Sequence, residues 1–160
     1  MKDISLYIHW PFCLSKCPYC DFNSHVFGKI DHSEWHKGLL REVKSLSEKT
    51  KGRKLKSIFF GGGTPSLMEP DLVSNLIAES KKIWKTDGSI EISLEANPSS
   101  VESEKFYLFK EAGINRISLG VQSFNDDTLK FLGREHNASD SIRAIEIAKK
   151  TFNNVSFDMI

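Results

Sequence analysis

Residues 7–22 read Tyr7-Ile8-His9-Trp10-Pro11-Phe12-Cys13-Leu14-Ser15-Lys16-Cys17-Pro18-Tyr19-Cys20-Asp21-Phe22, and the rest of the chain is best understood outward from them. All three cysteines of the chain lie here, spaced C-x3-C-x2-C. The apolar run just before them, residues 4–8, reads as a buried strand, which puts the thiols on the loop leaving its C-terminal end. Thiolates this close in sequence can converge on one metal centre. A structural zinc site takes four protein ligands, and an ordinary iron–sulfur cluster likewise takes four cysteines. Three cysteines around a four-iron cluster therefore leave one iron open to a small molecule. Spacing alone keeps two other readings open: a zinc site completed by His9 or His25, and a disulfide beside one free thiol. The disulfide is disfavoured, because the N-terminus carries no signal-peptide pattern that would imply an oxidising compartment.

Downstream, apolar runs predict further strands over 55–60, 90–96, 114–121 and 155–160. Helices are predicted between them. Asp31 followed by Glu34 caps a helix over 32–48, with Trp35, Leu39, Leu40, Val43 and Leu46 at helical spacing. Pro70 suits the first turn of a second, continued by Leu72, Leu76, Ile77 and Ile83. Ser99 with Glu102 makes a capping box for a third, with Phe106, Phe109 and Ala112 inward and Gly113 at its end. A short helical turn is expected over 126–132. A last helix should open at Ser139 and bury Ile142, Ile145 and Ala148. Strands alternating with helices imply an α/β fold with a parallel sheet. Polar residues stand at each strand's C-terminal end: the cysteines, then Gly61 to Thr64, Glu95, Gln122 and Asp158. In parallel β/α folds that rim is where ligands bind.

Composition narrows the class. The chain has 160 residues, 39% of them hydrophobic, which suits one domain with a real core. Twenty-two Lys and Arg against 21 Asp and Glu give a formal net charge of +1, too balanced for a dedicated nucleic-acid binder. No apolar run reaches membrane-spanning length. A reducing, cytoplasmic setting is expected, and the basic stretch 49–56 reads as a solvated connection.

With these motifs in place, the chain resembles the radical S-adenosylmethionine (SAM) enzymes, whose signature is the C-x3-C-x2-C spacing. Tyr7 to Cys13 and Cys17-Pro18-Tyr19-Cys20-Asp21-Phe22-Asn23-Ser24 are similar to the HemW-like heme chaperones and their relatives, the oxygen-independent coproporphyrinogen III oxidases. Phe22 stands where the oxidase branch carries a further cysteine, which favours the chaperone branch. The resemblance implies a partial (β/α) radical SAM barrel, here truncated after about the fifth strand. Residues 1–160 would be an incomplete radical SAM core, without the C-terminal domain of the chaperones.

What the resemblance implies for the site follows residue by residue. Cys13, Cys17 and Cys20 would hold a [4Fe–4S] cluster, and the amino and carboxylate groups of SAM would chelate the fourth iron. Gly62, Gly63 and Thr64, in Gly-Gly-Gly-Thr-Pro-Ser, would lie against the amino group of SAM through backbone. Glu95 and Gln122 would contact the nucleoside, and Arg134 in Gly-Arg-Glu-His would bind the SAM carboxylate. Tyr19 would flank the adenine, Tyr7 the cluster, and Asp158 would join the nucleotide side. Reductive cleavage of SAM is the chemistry of catalytic relatives. The chaperone branch implies instead that heme or a porphyrin is bound and passed to hemoprotein acceptors, although the heme contacts of that branch lie largely in the C-terminal region. Three function classes follow: a heme chaperone fragment, a coproporphyrinogen-oxidising enzyme, and a truncated remnant that binds no cofactor and is poorly soluble through its open fifth strand.

Overall fold

A five-stranded parallel sheet forms the body of the chain in a computed structural model that describes residues 3–28 and 30–160. In chain order the elements are β1 (Asp3–Trp10), two short strands β2 (Phe12–Cys13) and β3 (His25–Val26), α1 (His32–Lys49) and β4 (Lys54–Gly62). A 3-10 turn (Pro65–Leu67), α2 (Pro70–Ile83), β5 (Glu91–Ala96), α3 (Ser100–Ser103), α4 (Phe106–Glu111) and β6 (Arg116–Gln122) follow. The chain closes with α5 (Asp126–Phe131), α6 (Ala138–Thr151) and β7 (Asn154–Met159). The large sheet runs β1-β4-β5-β6-β7, every pairing parallel, while β2 and β3 pair separately beside it. This is the α/β arrangement that strand–helix alternation predicts, with all five long strands where apolar runs put them.

Period-2 alternation gives the sheet two unlike faces. Leu6, Ile8 and Trp10, then Ile58 and Phe60, Ile92 and Leu94, and Ile117, Leu119 and Val121 are buried in one core with the helices. Trp10, Phe60, Phe106 and Phe109 are its largest fully buried side chains. The opposite face carries short polar side chains bonded across strands. Ser57 Oγ donates to Ser5 Oγ at 2.9 Å, and Ser156 Oγ to Ser118 Oγ at 3.0 Å. Arg116 reaches Ser93 Oγ at 3.3 Å and Ser156 Oγ at 2.9 Å. At the C-terminal end of the strands this polar face opens into the candidate site.

Local signals account for most helix starts, with three differences. Asp31 accepts the Glu34 N–H at 3.0 Å and caps α1 as its pattern predicts, and Pro70 sits in the first turn of α2. The last helix opens earlier than Ser139: Asn137 is its cap, and Asp140 reciprocates in a capping box. Ile142 is 52% exposed rather than buried, because Ser141, Ala144 and Ala148 face the core and their small side chains let α6 lie close. The third predicted helix is two short ones. A tight Lys105 N–H to Glu102 C=O bond at 3.0 Å closes α3 before α4 begins.

Candidate cofactor-binding site

The three cysteines sit on a loop held at both ends. His25 N–H donates to Pro11 C=O at 2.7 Å, and His9 Nε2–H to Asn23 C=O at 2.9 Å. Inside the loop a turn, Cys20 N–H to Cys17 C=O at 3.0 Å, brings the second and third cysteines round. All three are free thiols of intermediate exposure, and all three line one cavity of about 630 Å3. Among the described residues, no three His, Cys, Asp or Glu side chains are already grouped as a single-ion metal site. His9, one candidate for a fourth zinc ligand, has its Nε2 committed to Asn23.

Of the residues that the resemblance implies for the cofactor site, all line the same cavity except Tyr7 and Gly62. Tyr7 stacks on Phe59 with ring centroids 5.9 Å apart and is 57% exposed, at the side of the cavity rather than in it. Gly62 stands one layer behind, donating its N–H to Glu95 Oε2 at 3.2 Å. Gly63 N–H donates to Trp10 C=O at 2.7 Å and Thr64 N–H to Phe12 C=O at 2.8 Å. With these donors engaged, what the glycines contribute is close approach of one backbone to another. A Cβ on Gly63 would come within 2.6 Å of Phe12 O and 3.0 Å of Cys13 Sγ, so only glycine lets the two loops touch here. A second such contact fixes the far side. Gly133, at φ +68°, would drive a Cβ to 2.6 Å from Pro18 Cδ, packing the Gly133-Arg134-Glu135-His136 turn directly on the cysteine loop.

Arg134 is the hub of the wall. Its Nη2 donates to Asn97 Oδ1 at 2.6 Å and Gly120 C=O at 2.8 Å, and its Nη1 reaches Cys17 Sγ at 3.4 Å. Its Nε is buried with no hydrogen-bond partner among the described residues. Opposite stand two carboxylates, Glu95 and Asp158. Burial pushes the Glu95 carboxyl above its ordinary range, the Gly62 N–H opposes that, and the negative charge of Asp158 adds to the rise. Gln122 ends β6 at φ 68°, a left-handed conformation unusual for a residue with a side chain, where the register with β7 shifts. Partial burial likewise raises the Tyr19 hydroxyl.

Two further residues belong to this wall that sequence reasoning gave no role or another one. His136 is buried and its Nε2–H donates to Val121 C=O at 3.0 Å, tying the arginine turn to the end of β6. Burial lowers its pKa, and the Val121 carbonyl calls for a proton on Nε2. Glu102 satisfies only half of the expected capping box: its N–H donates to Ser99 Oγ at 3.3 Å, but its carboxylate takes the N–H of Asn97 at 2.9 Å and the hydroxyl of Ser66. Local patterns do not signal the His136–Val121 or Glu102–Ser66 contacts, which join separate segments, and the Asn97 bond lies outside the three-residue spacing of a capping box.

The donor set suits a zwitterionic nucleoside. Its carboxylates are of the kind that pair with an ammonium or with hydroxyls, its guanidinium of the kind that pairs with a carboxylate, and three thiols line the same cavity. The volume lies in the range of small-molecule sites, about 300–1,000 Å3.

Comparison with known proteins agrees with this geometry. The family model described as the radical SAM superfamily matches residues 7–160. The chain is 48% identical to the heme chaperone HemW of Haemophilus influenzae, over 96% of this chain and 42% of that protein. It is 43% identical to the heme chaperone HemW of Escherichia coli, over 92% of this chain and 39% of that one. The chain thus spans about two fifths of the length of these relatives. Among solved structures, coproporphyrinogen III oxidase from Escherichia coli, a radical SAM enzyme, superposes with a TM-score of 0.88 at 26% identity, covering 99% of this chain and 37% of that one. Cysteine spacing, strand-end wall and family match converge, and the chain belongs to the radical SAM superfamily.

Proposed function

We propose that this chain is the cofactor-binding core of a HemW-like heme chaperone. Cys13, Cys17 and Cys20 would hold a [4Fe–4S] cluster, and SAM would bind the fourth iron. When bound, that pair supplies one-electron reduction of a sulfonium. The protein's own share is positioning. Glu95, Asp158 and Gln122 orient the nucleoside, Arg134 turns its guanidinium, whose Nε–H has no partner among the described residues, toward the carboxylate, and Tyr19 covers the adenine from the cysteine loop. Gly63 and Thr64 let the ligand approach the backbone; Gly62 supports Glu95 from behind; Tyr7 shields the flank. The observation carrying this reading is that one cavity gathers all three cysteines with the Arg134 guanidinium and two carboxylates.

Heme or a porphyrin is the proposed cargo and hemoproteins the proposed acceptors, on the strength of the relatives' name. Free cysteines suit a reducing cytoplasm, and no helix among the described residues is long and apolar enough to cross a membrane. Similarity to the oxidase structure supports a second reading, oxidation of coproporphyrinogen III. It ranks lower, because identity to that enzyme is 26% against 48% to a chaperone. Anaerobic reconstitution with iron and sulfide tests the shared core. About four irons per chain and an absorbance change on adding SAM are expected; one zinc per chain, or no metal, would remove it. Hemin titration and transfer to an apo-hemoprotein then separate chaperone from oxidase, which would instead consume coproporphyrinogen.

A further inference from the structure

Glu102 is 3% exposed, and its carboxylate lies at the back of the cavity wall. Cap formation would use it locally, but its oxygens are turned elsewhere. Oε2 accepts the Asn97 N–H at 2.9 Å and the Ser66 hydroxyl, and Oε1 accepts the Ser99 hydroxyl at 3.3 Å. Both oxygens are thereby satisfied by protein donors, so this carboxylate has little left to offer a ligand directly. What it holds is more telling. Asn97 presents Oδ1 to Arg134 Nη2 at 2.6 Å and Nδ2 to Thr64 Oγ1 at 3.3 Å. A buried carboxylate is expensive to keep, and burial does raise this one's pKa against the bonds from Ser66 and Asn97. A plain cap would not require so deep a charge; a fixed anchor for the Asn97 backbone would.

We propose that Glu102 is a positioning residue for the Arg134 guanidinium, acting through Asn97. By fixing the Asn97 main chain it sets where Oδ1 sits, and Oδ1 with Gly120 C=O sets the plane of the guanidinium and so the direction of its free Nε–H. The inference rests on the reading above, in which that donor takes the carboxylate of SAM.

The test is a double-mutant cycle read by SAM titration of the anaerobically reconstituted chain: wild type, Glu102→Ala, Asn97→Ala and the pair together. Each single change should weaken SAM binding about tenfold, the loss of one well-made bond to a charged group, and the pair should weaken it no further, because both act on one link. Glu102→Gln, whose amide oxygen can accept the same two bonds, should restore the affinity. In the unloaded chain, Arg134 Nε–H should exchange with solvent faster in Glu102→Ala than in wild type. Unchanged affinity in Glu102→Ala, losses that multiply in the double variant, or a folded Glu102→Gln as weak as the alanine would each overturn the proposal. If Glu102→Ala does not fold, Asn97→Ala decides: wild-type affinity there overturns it. A wild-type chain that takes up iron but no SAM would instead sink the parent reading, and the two failures cannot be confused.

Discussion

The two walls of the cavity are built in opposite ways. The cysteine wall is a loop whose regular structure amounts to the paired two-residue strands Phe12–Cys13 and His25–Val26, with Leu14, Phe22 and Phe27 more than half exposed. The facing wall is made of strand ends braced from behind, where Glu102, Asn97, Thr64, Gly120 and Arg134 form one bonded network. The loop meets the opposite wall where Gly133 packs on Pro18 and Arg134 Nη1 approaches Cys17 Sγ. The opposite wall is fixed in advance, so its polar groups are oriented before any ligand arrives. In the proposed reading, a loop poor in regular structure would carry the cluster and a braced wall the nucleoside.

That contrast breaks first at Cys17. Replacing it with alanine should abolish iron uptake, since two thiolates cannot hold the cluster, while the melting temperature of the unloaded chain stays within about 2 °C of wild type, as for a surface change of about 0.5 kcal/mol or less. Iron analysis beside a thermal melt checks both halves. The reverse pattern is expected at Phe109, fully buried under the sheet. Phe109→Ala should cost about 3–5 kcal/mol by denaturant unfolding and leave the loop chemistry intact in whatever fraction stays folded.

Gly63 lies where the walls meet. Gly63→Ala forces a Cβ to 2.6 Å from Phe12 O, and overpacking of this kind costs about 1–3 kcal/mol. Cluster loading and SAM affinity should fall together, as read by iron content and titration; a variant that lost neither would mean that the loops can part freely.

The smallest effect concerns Glu102. Burial holds its carboxyl above the usual range, so the native chain binds that proton more tightly than the unfolded chain does. The resulting contribution to stability is full below the unfolded-state value and is lost as pH rises through the folded one. Glu102→Gln should flatten the decline in melting temperature across that window; an identical pH profile in both chains would contradict the assigned environment.

Much of this architecture could be read from residue patterns alone. Apolar runs located the strands because each buries one face against helices, and caps such as Asp31–Glu34 located α1 because the bond spans three residues. The rim was legible as polar residues at strand ends. The failures have one cause. Ile142 was expected inward because helical periodicity cannot tell that Ala144 and Ala148 make the closer fit. Glu102 was read as half of a capping box with Ser99, and its N–H does donate to Ser99 Oγ, but its carboxylate also takes Asn97 N–H and the hydroxyl of Ser66, which meets it only in the fold. Tyr7 and Gly62 stand beside and behind the cavity because register, invisible in composition, puts them there.

The central claim is that three thiols leave one iron for the amino acid end of SAM. Pulsed electron paramagnetic resonance of the reduced, reconstituted chain, with SAM labelled by 15N at its amino group, addresses it directly. The account predicts hyperfine coupling between that nitrogen and the cluster. A reduced cluster whose spectrum is the same with and without SAM would contradict it.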